Sequence, residues 1–214
     1  MTRRSLPAQL WYALLWCVCW SVSQVLFRFR FTGRDHVPKT GPVLLAANHQ
    51  SHLDPVLIGI ACPRPTGALA RRELFFWPLG WLIRSLGAVP IDRGRGAALS
   101  GFKATLKSLR EGQTMLVFPE GTRTHDGQLQ PFHSGFCALA RRSGATIVPV
   151  AIVGAFAALP RGRAFPRPRP ITLAFAPPIT PEQYDGYTDA QFTDLVAYRV
   201  AEGLKQSPSL LERG

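Results

Sequence analysis

Residues 10–27, LWYALLWCVCWSVSQVLF, form an almost uncharged run. Arg3 and Arg4 precede it, and Arg28, Arg30 and Arg34 follow it. As a helix it would be about 27 Å long, close to the roughly 30 Å hydrocarbon core of a bilayer. Ser21, Ser23 and Gln24 make its second half polar, and basic residues on both flanks give no clear orientation. Tyr12, Trp16 and Trp20 recur at a helical spacing and form one aromatic stripe, which suits a helix lying in the headgroup region. A half-buried anchor goes with that reading; a true span, an ordinary core helix and an export signal are the others. For the last, Thr2-Arg3-Arg4-Ser5-Leu6 loosely resembles a twin-arginine signal and Ser21-Val22-Ser23 offers a small-x-small site.

Beyond this run, short apolar stretches alternate with longer amphipathic ones. Residues 27–32 alternate Phe and Arg, the pattern of a two-faced strand or a helix-end extension. Strands are expected at 43–47, 67–70, 88–91, 115–118, 146–153 and 171–175. Helices are expected from Asp54-Pro55 to near Cys62-Pro63, and over 95–111, 132–143 and 189–205. The first of these should start with Asp54 as N-cap and Pro55 at the next position. The 95–111 helix carries Leu99, Phe102, Leu106 and Leu109 at helical period, and the last helix carries Phe192, Leu195, Val196 and Val200 on one face. Residues 160–170 alternate Pro and Arg and read as a solvated connection or as a membrane-surface contact. Strands alternating with helices predict an α/β fold: one layered domain with a mixed, largely parallel central sheet flanked by helices.

The chain has 214 residues, 18% of them charged and 46% hydrophobic. Its net charge is +12, and all the basic residues except Lys39, Lys103, Lys107 and Lys205 are arginines. A basic balance calls for an acidic partner. Sparse charge with high apolar content favours a membrane surface, and no nucleic-acid motif or clustered basic helix is present, so no nucleic acid partner is expected. Cys17, Cys19, Cys62 and Cys137 have neither the spacing of a zinc site nor the density of a disulfide scaffold.

The chemistry concentrates in Asn48-His49-Gln50-Ser51-His52-Leu53-Asp54-Pro55, which follows the apolar run 43–47. His49 and Asp54 would lie about 140° apart on one continuous helix. They meet only if the chain turns between them, and a strand ending before His49 with a helix starting at Asp54 supplies that turn. Strand ends of this kind are where open α/β sheets hold ligands. Asp54 could then fix the tautomer of His49, whose other nitrogen would take a proton from a substrate hydroxyl. No Gly-x-Ser-x-Gly element is present, so attack by an activated substrate hydroxyl is expected, without a covalent enzyme intermediate. His49, His52 and Asp54 lack the placement of a helical zinc site, and no metal is expected.

Residues 48–54 resemble the His-x4-Asp motif of the glycerolipid acyltransferases, in particular the 1-acyl-glycerol-3-phosphate (lysophosphatidic acid) acyltransferases. Gly87-Ala88-Val89-Pro90-Ile91-Asp92-Arg93, Phe118-Pro119-Glu120-Gly121-Thr122-Arg123 and Val148-Pro149-Val150 resemble their second, third and fourth blocks. The four blocks stand in family order across roughly residues 30–180. Two positions depart: Pro90 stands where an aromatic is frequent, and His133 near a position where lysine is common.

The resemblance implies His49 as general base with Asp54 orienting it. It implies Arg93 and Arg123 on a substrate phosphate, which a guanidinium fork fits well. Glu120 would position Arg123 or bind the glycerol backbone, Gly121 would permit close approach, and Thr122 would complete the substrate-binding turn. Residues 75–81 would reach the bilayer or line an acyl channel, with core packing as the other reading. Acyl-CoA or acyl carrier protein would donate the acyl group, lysophosphatidic acid would accept it, and no further cofactor would be needed; another lyso-lipid acceptor (a lysophospholipid or lyso-ornithine lipid) and a non-catalytic lipid-binding membrane-surface protein are the alternatives. The organisation expected is a membrane-anchoring helical segment at 1–30 and a catalytic domain at 31–214. The protein would then sit at the cytoplasmic face of the cell inner membrane, on a phospholipid bilayer surface, held by a monotopic or single-pass anchor.

Overall fold

The computed structural model describes residues 6–71, 88–91 and 97–206. Helix α1 (Leu6–Phe27) leads into β1 (Arg30–Thr32), and after a 3-10 turn (Arg34–His36) come β2 (Val43–Ala47), α2 (Asp54–Ala61), β3 (Thr66–Arg71) and β4 (Ala88–Ile91). Then follow α3 (Ala97–Arg110), β5 (Thr114–Val117), α4 (Gly135–Ser143), β6 (Thr146–Val153), α5 (Ala155–Ala158), β7 (Thr172–Phe175), α6 (Pro181–Tyr184) and α7 (Asp189–Gln206). The expected strands and long helices are all present among the described residues. The short helices α5 and α6 have too few residues to carry a period and were not foreseen.

The strands form one seven-stranded sheet in the order β1-β7-β6-β2-β5-β3-β4. β6, β2, β5, β3 and β4 run parallel to one another. β7 is antiparallel to β6, and β1 is parallel to β7. The sheet is thus mixed and largely parallel. β2 lies at its centre, and all five of its residues are fully buried, as expected of a strand covered on both faces.

The pleat sorts these residues into two cores. Val43, Leu45, Ala47, Val148, Val150 and Ile152 pack with Leu57, Ile58 and Ala61 of α2 on one face. Leu44, Ala46 and Ile147 pack with Leu109, Phe136, Leu139, Phe192 and Val196 on the other. So α2 covers one face, and α3, α4 and α7 cover the other. Leu99, expected on the buried face of α3, is 58% exposed, because the stripe that packs begins one turn later at Phe102.

Helix α1 belongs to the first core. Trp16, Cys19, Trp20 and Leu26 pack against it. The Trp16 and Trp20 rings stack at 5.6 Å, and Trp20 meets Phe31 edge-on at 5.9 Å. The aromatic stripe therefore faces protein at Trp16 and Trp20, where the sequence pointed to headgroups; the Tyr12 side chain lies outside the described residues. The face left outward carries Leu14, Val18, Val22 and Val25, all exposed. Among the described residues no helix is long and apolar enough to cross a membrane. Helix α1 ends where Arg28 takes φ 42°, and the Phe and Arg alternation then resolves into buried Phe29 and exposed Arg28 and Arg30. Residues 75–81 lie outside the described residues.

Candidate active site

β2 and β5 are parallel neighbours with Ala46 opposite Val117, so the segments that follow them emerge side by side at one edge of the sheet. That register joins the two motifs. The His49 amide donates to Glu120 Oε1 at 2.9 Å, and the Thr124 amide donates to the His49 carbonyl at 2.8 Å. The residues after β5 thus grip the His49 peptide at both its donor and its acceptor. The imidazole itself lies flat on the Phe118 ring.

His49 Nδ1 lies 2.9 Å from Asp54 Oδ2. The same oxygen accepts the Gln50 amide at 2.6 Å and the Ser51 amide at 2.7 Å. Two amide donors make Oδ2 an acceptor, so Nδ1 carries the third proton and the Nε2 lone pair points elsewhere. Asp54 is fully buried, whereas the His49 side chain is 17% exposed. Burial pushes the Asp54 carboxyl up from the usual aspartate range, and the bond from His49 and the two amides pull against it. Asp54 does not cap α2 as expected. It is the first helical residue, Leu53 occupies the N-cap position, and the carboxylate folds back onto the loop before it. The forward-pointing N-cap geometry would leave His49 without this acceptor.

Glu120 is 4% exposed. Burial raises its carboxyl to about 7, against the pull of the His49 amide. The buried Asp54 carboxylate adds to the rise. Its second oxygen, Oε2, is buried with no hydrogen-bond partner among the described residues. Gly121 is required by its φ of 70°. A Cβ there would meet His133 at 3.5 Å, an ordinary contact, so within the protein it is the left-handed backbone that selects glycine. Thr122 is exposed, and Arg123 is half-buried one residue before the Thr124 that holds His49. Arg93 lies outside the described residues.

Several supporting residues had no role assigned from sequence. Asn48 is buried and mimics a strand residue: its amide donates to the Ile152 carbonyl at 2.9 Å and accepts the Ile152 N–H at 2.8 Å. Ser51 Oγ donates to the Leu159 carbonyl at 2.8 Å. Gln50 bridges the Gly127 carbonyl and the Phe156 amide. Asn48, Gln50 and Ser51 are the polar residues next to His49 at the end of an apolar run, and that polarity was the available signal. Cys137 is buried on the opposite face of the sheet beside Thr193, and burial raises its thiol.

The family described as Acyltransferase matches residues 28–153. The 1-acyl-sn-glycerol-3-phosphate acyltransferase of Limnanthes douglasii is 33% identical over 158 residues, 72% of this chain and 56% of that protein. The lyso-ornithine lipid O-acyltransferase of Pseudomonas aeruginosa is 38% identical over 112 residues, 52% of this chain and 43% of that protein. The chain spans about half the length of the curated relatives it matches. Among solved structures, the 1-acyl-sn-glycerophosphate acyltransferase PlsC of Thermotoga maritima superposes with a TM-score of 0.80 at 25% identity. That match covers 96% of this chain and 83% of the other.

Proposed function

This chain belongs to the acyltransferase family, and from that premise we propose that it transfers a fatty acyl group to the free hydroxyl of 1-acyl-glycerol-3-phosphate, giving phosphatidic acid. The donor is acyl-CoA or acyl carrier protein. The observation that carries the reading is the 2.9 Å contact between His49 Nδ1 and Asp54 Oδ2 at the edge of a central parallel strand. The relatives named as 1-acyl-sn-glycerol-3-phosphate acyltransferases support the acceptor.

In this reading His49 is the general base. The acceptor hydroxyl gives its proton to Nε2 while its oxygen attacks the thioester carbonyl. The tetrahedral intermediate then expels the thiolate, which recovers the proton from the imidazolium. Asp54 holds the ring in the required tautomer and stabilises its charged form. General-base help of this kind is worth about 10²–10⁴-fold, and alignment of two bound substrates supplies much of the rest. Arg93 and Arg123 hold the phosphate, with Glu120, Gly121 and Thr122 forming the turn beside it.

We place the protein on a phospholipid bilayer at the cytoplasmic face of the cell inner membrane, the side from which a cytosolic acyl thioester would reach it. Residues 31–214 act as the catalytic domain, and residues 1–30 associate with the membrane as a monotopic segment. The outward apolar row of Leu14, Val18, Val22 and Val25 supports that association.

A second acceptor is favoured by one observation: the relative named for lyso-ornithine lipid. That lipid carries no phosphate, so arginine-based capture favours the first. Thin-layer separation of products, after labelled acyl-CoA is offered with each lyso-lipid, decides between them. Labelled phosphatidic acid is the expected product. Label appearing only in ornithine lipid, or in neither, would refute the proposal.

A further inference from the structure

The segment between α5 and β7 reads Pro160-Arg161-Gly162-Arg163-Ala164-Phe165-Pro166-Arg167-Pro168-Arg169-Pro170, and every residue of it from Arg161 onward is exposed. It is nevertheless tied down. The Arg167 amide donates to the Ala158 carbonyl at 2.8 Å, closing the loop on itself, and the Ile171 amide donates to the Phe27 carbonyl at the end of α1 at 2.9 Å. Gly154 makes room for the return: a Cβ there would lie 2.2 Å from the Pro170 carbonyl oxygen. Four prolines restrict their own φ and the residues before them. Such a loop holds its side chains outward with little left to order on binding.

Its composition is one-signed. No acidic residue occurs between Asp126 and Glu182. The first of these is already engaged by the Thr124 hydroxyl and the Gln128 amide. At the crest of the loop Phe165 is 82% exposed. A large ring that exposed, flanked by arginines, has the make-up of a surface that meets an anionic, partly apolar boundary. Duplex nucleic acid would satisfy the arginines but leave the ring in water.

The loop also joins the candidate site. Arg161 Nη1 donates to the Arg123 carbonyl at 3.0 Å and to His125 Nε2 at 2.6 Å. The residue between these two, Thr124, donates to the His49 carbonyl.

We propose that residues 160–170 are a docking loop for an anionic phospholipid bilayer, with Arg163, Arg167 and Arg169 on the headgroups and Phe165 inserted between them, next to the mouth of the site. The inference rests on the membrane-lipid acceptor proposed above. It assigns the electrostatic contact and one inserted ring to this loop, beside the apolar row of α1.

The test uses the full chain and its R163E/R167E and F165A variants. Each is sedimented with vesicles of phosphatidylcholine alone and of equal parts phosphatidylcholine and phosphatidylglycerol. Each is also assayed on detergent-dispersed lysophosphatidic acid. The double reversal should lower partition onto the mixed vesicles by about tenfold or more, since each basic residue near an anionic surface contributes about fivefold. It should leave pure phosphatidylcholine unaffected. F165A should weaken partition onto the mixed vesicles, and turnover in detergent should be unchanged for both. Wild-type partition by R163E/R167E would overturn the proposal. So would a fall in detergent turnover matching the fall in binding, or a loss of duplex DNA retention in place of vesicle retention. If no variant, wild type included, turns over lysophosphatidic acid while vesicle binding still follows loop charge, the acceptor reading fails and the docking loop stands.

Discussion

The imidazole of His49 lies against the ring of Phe118 with centroids 3.8 Å apart and planes 13° from parallel. Phe118 is the first residue after β5, and His49 follows β2 by one residue, so the stack exists only because the two strands are neighbours. One ring face of His49 is covered by it while Nδ1 is held by Asp54. Two constraints at right angles leave the imidazole little freedom to tilt.

Replacing Phe118 with Leu keeps an apolar contact but removes the flat face. The expected result is a fall in kcat of about tenfold, because small misplacements of a reacting group cost rate steeply. The KM for the acceptor should change less than about twofold. Steady-state release of free thiol, measured against acceptor concentration, separates these effects. A KM rise at constant kcat would assign Phe118 to acceptor binding and not to ring orientation.

Asp54→Asn can keep an oxygen in the place of Oδ2 for the Gln50 and Ser51 amides and for His49 Nδ1, but it removes the negative charge beside the ring. The imidazolium that forms as His49 takes the proton would then lose its counter-charge. Activity should drop by about 10²–10⁴-fold, as it should for His49→Ala, while the melting temperature of D54N stays near wild type. Asp54→Ala differs: it leaves two buried amides unpaired and should cost about 2–4 kcal/mol in urea unfolding.

Glu120 supplies a pH signature. Its carboxyl is raised to about 7 by burial, against an unfolded value near 4.3. Between these values the folded state holds a proton that the unfolded chain has released. Stability from this group therefore falls as pH rises from about 4.3 to about 7, and is level above and below that window. Glu120→Gln keeps an oxygen for the His49 amide and cannot ionise. It should be more stable than wild type above pH 7, by up to about 3 kcal/mol, with the difference shrinking towards pH 4.3. Thermal melts of both proteins across that window give the comparison. A difference independent of pH would show that Glu120 does not titrate there.

Much of this arrangement was written locally. The apolar run 43–47 could only be a buried strand, and the spacing of His49 and Asp54 demanded a turn that a strand-to-helix junction supplies. What the sequence left open depends on which strands are neighbours. The grip of Glu120 and Thr124 on the His49 peptide follows from Ala46 lying opposite Val117, and no local pattern encodes that pairing. The tryptophans of α1 illustrate a different limit. A four-residue aromatic period fixes which side chains share a face but not what that face meets, and at Trp16 and Trp20 it meets the core. The Asp54 side chain shows a third: Asp-Pro marks a helix start, yet capping forward and reaching back to His49 read the same in one dimension.

Asn48 fixes the last peptide before His49. It satisfies both the N–H and the carbonyl of Ile152, continuing the β2–β6 pairing by one step through a side chain. Asn48→Ala would leave both buried groups unpaired, at about 1–3 kcal/mol each, so a total loss of about 2–6 kcal/mol is expected. Urea unfolding should show a lower midpoint with an unchanged slope, because the surface exposed on unfolding is the same. Asn48→Asp discriminates further. It keeps the acceptor for the Ile152 N–H but sets a buried carboxylate against the Ile152 carbonyl. It should therefore be at least as destabilising as alanine near neutral pH and recover when that carboxylate is protonated. A Cm for N48D equal to wild type at neutral pH would mean that the amide donor contributes nothing, and the bidentate pairing would not be what holds this end of β2.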